Sequence, residues 1–169
     1  AIGRSAAGSL TSGAGNVAIG NYAMLVHTTG SRNIAIGYDA MNDTDATAAA
    51  DGGAGGTAGT LASIDNIFIG FQSGGGEWAG SDSNYNVAIG GQAMVSNTTG
   101  GTNVAVGYAS LDANTTGDNN VGVGTNALSA NTTAEANTAV GVNALMVNTT
   151  GAYNVAVGMA SLDANTTAS

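Results

Sequence analysis

The stretch Asn103-Val-Ala-Val-Gly107 decides the fold, because the chain writes it again and again. The same five-residue word stands at Asn16-Val-Ala-Ile-Gly20, Asn33-Ile-Ala-Ile-Gly37, Asn66-Ile-Phe-Ile-Gly70 and Asn86-Val-Ala-Ile-Gly90. It continues at Asn120-Val-Gly-Val-Gly124, Asn137-Thr-Ala-Val-Gly141 and Asn154-Val-Ala-Val-Gly158. Most successive words, such as those opened by Asn103 and Asn120, lie 17 residues apart, and a fixed short period marks a repeat protein.

Working outward, let each closing Gly be position 0. Position +4 is Met24, Met41, Met94, Leu111, Leu128, Leu145 and Leu162, and Gly74 alone breaks that series. Position +3 is usually Ala. Positions +7 to +9 read Asn-Thr-Thr from Asn97, Asn114, Asn131, Asn148 and Asn165, with Gly or Ala at +10. Val and Ile alternating with Ala in the word is a period of two with β-branched residues, which predicts a strand. The Ala-Leu segment predicts a second, weaker strand, and Asn-Thr-Thr-Gly a turn whose Gly is free to adopt positive φ. Such a repeat is too short for a helix, a strand and two loops, but it fits one coil of a parallel β-solenoid. The whole chain, 1–169, therefore reads as a single all-β solenoid domain. About nine coils at roughly 4.8 Å each give a rod near ~40 Å long.

Such strands have two apolar faces, one for the coil's interior and one for another chain. The core or interface candidates are accordingly Val17, Ala18, Ile19, Val87, Ala88, Ile89, Val104, Ala105 and Val106. A thin solenoid with 5% aromatic residues would be marginal alone, which adds to the expectation of oligomers.

Composition narrows the function classes. Only 8% of residues are charged, against roughly a quarter in ordinary domains. The formal net charge is −9, with Arg4 and Arg32 the sole cations. That surface repels phosphate backbones and anionic lipid, so nucleic-acid binding and membrane attachment are not expected. No apolar run approaches the ~20 residues of a membrane span, so no membrane insertion by this segment is expected. Ala1-Ile2-Gly3 is the tail of a word and Thr166-Thr-Ala-Ser169 stops inside a repeat, so the chain is expected to be a segment of a longer array.

Repeats of Asn-Val-Ala-Ile-Gly followed by Ala-Leu resemble the head repeats of trimeric autotransporter adhesins. With Asn-Thr-Thr-Gly between the words they are similar to repeats of bacteriophage tail-fibre proteins and related bacterial surface proteins. The resemblance covers the chain apart from residues 42–65 and 75–85. It implies a left-handed parallel β-roll, a homotrimer around one axis, an extracellular place on a virion or cell surface, and attachment to a host glycan or protein receptor. The usual adhesin-head repeat is shorter than the one in this chain, so the details of its corners do not carry over.

The period fails twice. The words closed by Gly37 and Gly70 are 33 residues apart, and those closed by Gly70 and Gly90 are 20 apart. Both excesses fall in one part of the coil, as insertions at 42–65 and 75–85, so in stacked coils they should be neighbours. They hold six of the eleven acidic residues and the only Trp. Solenoid insertions map to loops on one face, often the binding face. The binding candidates are therefore Asp43, Asp45, Asp51, Glu77, Trp78, Asp82 and Tyr85. Two readings of the larger insertion stand side by side: a protruding binding or packing loop, and a degenerate coil whose word has decayed.

Catalytic constellations are not legible. With one His, no Cys and no Lys, the Ser-His, Cys-His and Schiff-base mechanisms lack parts, and no enzyme activity or cofactor is expected. His27 replaces the Asn of a repeated turn and reads as structural. Asn42-Asp43-Thr44-Asp45 offers oxygens to Ca²⁺ but lacks the rest of a calcium loop, so it reads as a solvated acidic turn and no metal is assigned. The Asn-Thr-Thr triplets match the N-glycosylation acceptor, yet repetition at one coil position favours a turn-stabilising Asn ladder. Thr rows suggest ice binding as an alternative, or a glycan-binding solenoid. Adjacent Thr residues would point to opposite sides of an extended chain, which ranks ice below adhesion. The expected function is a non-enzymatic structural and adhesive fibre segment.

Overall fold

The structure, a computed structural model, describes residues 1–26, 29–42, 63–76 and 83–169. All regular structure among them is β. Strands β1 (Val17–Ile19), β2 (Ile34–Ile36), β3 (Ile67–Ile69), β4 (Val87–Ile89), β5 (Val104–Val106), β6 (Val121–Val123), β7 (Thr138–Val140) and β8 (Val155–Val157) are the centres of the repeated words. They form one parallel sheet in sequence order, β1 to β8, each pairing with the next in the register of the repeat. Ile2 adds a bridge to Ile19 at one end. Seven steps between β1 and β8 make a rod of roughly 34 Å at ~4.8 Å per step.

The corner after each strand requires glycine. Gly20, Gly37, Gly70, Gly90, Gly107, Gly124 and Gly141 have φ between +135° and +143°. A Cβ on any of them would collide with the carbonyl oxygen of the next corner glycine, so coil touches coil backbone to backbone here.

The expected second strand is absent, and for a local reason. Positions +2 and +4 are left-handed in coil after coil, as in Ala109 (φ 51°) and Leu111 (φ 52°), which an extended strand excludes. The backbone still bonds between coils there: Leu111 N–H donates to Ala127 O at 3.0 Å and Ala109 N–H to Gly91 O at 3.1 Å. A second correction concerns the Asn-Thr-Thr-Gly turn. Its positive φ falls two residues beyond the expected Gly, at Thr102, Asn119, Ala136 and Tyr153 (φ 56–60°).

The core is narrow and has an apolar and a polar half. The apolar half is the Ala at the centre of most strands (Gly122 in β6), the Ala usual at position +3 and the Met or Leu of +4, all but solvent-free in the inner coils. Phe68 takes the place of the strand Ala in β3 and fills the space that +4 side chains fill elsewhere. Its own coil carries Gly74 at +4, where a Cβ would overlap the Phe68 ring. Large and small have traded places within one coil.

Two ladders of buried Asn make the polar half. Asn103 Oδ1 accepts from Asn120 N–H at 2.8 Å, and Asn103 Nδ2 donates to Gly117 O at 2.8 Å. Asn114 Nδ2 donates to the same Gly117 O at 3.0 Å and to Asn97 Oδ1 at 3.0 Å. Amides in a waterless strip would be costly unpaired, and here most are paired with the coil above or below. The bonds tie the word-opening Asn to the turn Asn and close the coil.

Candidate interaction surface

The strand burial alternates, and it settles which apolar face points where. Ala18, Ala35, Ala88, Ala105, Ala139 and Ala156 face inward at 0–2% exposure. Val17, Ile19, Val87, Ile89, Val104 and Val106 face outward, half-buried or exposed. Where +4 carries Met or Leu, only a small residue fits inside, Ala in most strands and Gly122 in β6; Phe68 fits in β3 because its +4 partner is Gly74.

The outward rows therefore stack into a stripe along the whole sheet. One row is Val17, Ile34, Ile67, Val87, Val104, Val121, Thr138 and Val155; the other is the Ile or Val two residues later in each strand. Of these sixteen positions fifteen are Val or Ile, one is Thr, and none is charged. Beside them, at position +1, stand exposed Tyr38, Phe71, Tyr108 and Val142. Tyr22, Tyr38 and Phe71 form a short ring ladder, edge-on at 5.8 Å and then stacked at 5.7 Å, with the Arg4 guanidinium 5.8 Å from the Tyr22 ring centre. Tyr108 leans over Gly91 and donates its hydroxyl to Gln92 Oε1 at 2.9 Å. From the first row to position +1, where Asn21, Gly91 and Thr125 interrupt the apolar side chains, the stripe is ~13 Å wide and ~34 Å long, a footprint on the order of 450 Å². Monomers rarely leave more than a few hundred Å² of continuous apolar surface bare.

The aromatic row escaped the sequence reading. Aligning the repeats on the closing Gly shows only Tyr38, Phe71 and Tyr108 at a mixed +1 position and Tyr22 at +2, so the ring ladder is a product of stacking and not of a repeated residue.

Of the loop candidates, Asp43, Asp45, Asp51, Glu77, Trp78 and Asp82 lie outside the described residues, as does the turn residue His27. Tyr85 lies within them, exposed and left-handed at φ 61°. The stems of the two insertions can be followed. They replace the part of the coil between +5 or +6 and +10, where other coils carry Asn-Thr-Thr. Ser63 and Ser83 resume the coil at +10 and touch, with Ser83 N–H donating to Ser63 Oγ at 3.4 Å. Ile64 N–H likewise donates to Asn84 Oδ1 at 2.8 Å. The stems are thus neighbours, as stacking requires. Strand β2 pairs directly with β3 across the longer interval; the choice between a protruding loop and a degenerate coil falls on residues outside the described ones. Arg32 and Asp65, at one position of successive coils, form a two-pronged ion pair at 2.7 and 2.8 Å that lowers the Asp65 carboxyl pKa by its hydrogen bond.

The Thr and Asn rows take defined places. Thr98 and Thr115 donate their hydroxyls to the carbonyls of Thr115 and Thr132, both at 2.9 Å. In the inner coils the second Thr, as in Thr116, Thr133 and Thr150, is the more exposed of the pair, while the first is half-buried and bonded to the next coil. Asn97, Asn114, Asn131 and Asn148 are fully buried, which removes their amides from any glycosylating enzyme once the coil has closed. Among the described residues no group of three or more His, Cys, Asp or Glu is placed to hold a metal ion, and no helix is long and apolar enough to cross a membrane. Neither a family model nor any curated protein or solved structure matches this chain.

Proposed function

We propose that the chain is a non-enzymatic, load-bearing segment of an extracellular attachment fibre, of the phage tail-fibre or bacterial surface-adhesin kind, and that it works as a homotrimer. The observation that carries this reading is the uncharged Val/Ile stripe running the full length of the sheet. A compact partner would need a patch; a stripe as long as the rod suits another rod. A second copy has the same rise per coil, so its side-chain ridges meet these grooves at every rung. The charge of −9 does not oppose this packing, because neither outward strand row carries a charged residue. The number three and the left-handed turn come from the resemblance of the repeats.

The two insertions arise half a coil away along the chain from the strands. Packing on the sheet leaves them free to meet a surface glycan or protein receptor, with weak contacts multiplied along the fibre. Light scattering of the purified chain tests the assembly: a threefold mass is expected, and monomer at micromolar concentration overturns it. Replacing residues 43–62 with the Ala-Asn-Thr-Thr that residues 113–116 place in an ordinary coil, which restores the 17-residue interval, should then abolish attachment to host cells while leaving mass and circular dichroism intact. Unchanged attachment removes that loop from the reading.

A further inference from the structure

Two nearly uniform strand rows have a weakness. If every rung is Val or Ile, two rods can slip past one another by one coil and lose only the contact at one end. Register then needs a rung unlike the others. We infer that Thr138 is that rung: it sets the axial register, and the parallel direction, in which a second copy of this chain packs on the sheet. The inference rests on the self-association proposed above.

Thr138 opens β7 and is half-buried in the outward row, flanked by Val121 and Val155 on the neighbouring rungs. It is the one hydroxyl among the sixteen outward strand positions. Its backbone N–H donates to Asn154 O at 2.8 Å, while its hydroxyl has no hydrogen-bond partner among the described residues. A hydroxyl on a drying surface must find a partner or lose its water without return. Around an axis parallel to the rods, like rungs meet, and Thr138 meets Thr138. One hydroxyl can then donate to the other. After a slip of one coil, Thr138 faces Val121 or Val155 and both hydroxyls are orphaned. In an antiparallel pair β7 lies opposite β2, and Thr138 faces Ile34, with the same loss. A lone polar side chain in an apolar seam fixes the register of coiled coils by this logic, at some cost in stability.

The absence of Cys from the chain makes the test direct. Thr102 and Asn119 are exposed, one coil apart, and each lies two residues before a strand. Chains carrying Thr102→Cys are mixed with chains carrying Asn119→Cys and oxidised, each chain otherwise intact. Same-rung packing gives 102–102 and 119–119 disulfides, and a one-coil slip gives 102–119. Same-rung products should exceed slipped ones about tenfold, equivalent to about 1.4 kcal/mol. Thr138→Val, the residue most other coils carry there, should leave folding and mass unchanged and raise the slipped product severalfold. An oligomer whose cross-link pattern is the same with Thr138 or Val overturns the inference alone. A monomer by light scattering overturns the self-association beneath it.

Discussion

Removing Phe68 should damage the rod, and removing the adjacent anomaly with it should repair most of that damage. Phe68 is fully buried in β3, and Gly74, six residues on, has no room for a side chain because the ring occupies it. Phe68→Ala alone opens a cavity of nearly a whole ring and should cost about 3–5 kcal/mol. Gly74→Met alone drives a side chain into the ring and should cost about 1–3 kcal/mol or more. Together the two changes write the consensus coil, with Ala in the strand and Met at +4, as in the coil of Ala35 and Met41. The remaining cost is the left-handed backbone. Gly74 sits at φ 62°, and Met41 and Met94 hold φ 50° and 52° in the equivalent place. For a residue with a Cβ this region costs roughly 1–2 kcal/mol. The double variant should therefore lie within about 2 kcal/mol of the parent, against roughly 4–8 kcal/mol for the summed singles, so the coupling should be at least ~2 kcal/mol. Urea unfolding followed by circular dichroism measures the cycle. Exchange of the Gly74 amide, which bonds to Ala93 O at 3.0 Å, localises the effect to this coil in a rod that need not unfold as one unit. A double variant as unstable as the sum of the singles would refute the idea that ring and glycine compensate each other.

The corner glycines allow contact and conformation to be separated. Gly124→Ala meets both the carbonyl of Gly141 and φ +136°, whereas Gly158→Ala meets φ +123° with nothing within 4 Å. Thermal melts should show a loss of ~1–3 kcal/mol for the Gly158 change and more than ~4 kcal/mol for the Gly124 change; equal losses would discard the coil-contact argument. Asp112, at +5, has Oδ1 buried without a hydrogen-bond partner, and burial raises its carboxyl pKa above the ordinary value. A raised carboxylate pKa means the folded state holds the proton more tightly. This group's contribution is then most favourable below the unfolded pKa, and it is lost as pH rises through the folded one. Asp112→Asn should accordingly raise the melting temperature at pH 7 and lose that advantage near pH 3; a gain that persists unchanged into acid would contradict the assignment.

Read as a string, the chain already determines most of its architecture. A short word recurring at a fixed interval can only stack its copies, and a period of two inside the word puts Val and Ile opposite Ala. The interruption at Gly74 and the two long intervals are visible there too. What the string leaves open is everything that depends on the coil closing upon itself. Val104 and Ala105 are equally good candidates for the inside until Leu111 arrives across a narrow core and leaves room in that coil only for a small side chain. The word-opening Asn103 and the turn residue Asn114 look like separate corner signals until closure brings both amides onto the Gly117 carbonyl. Gly74 looks like a lapse in the repeat until Phe68 is seen to fill its place. Local alternation is a property of the backbone and is written residue by residue. Which side is dry, and which side waits for a partner, is set by the volume the closed coil encloses, and only the tertiary structure decides that.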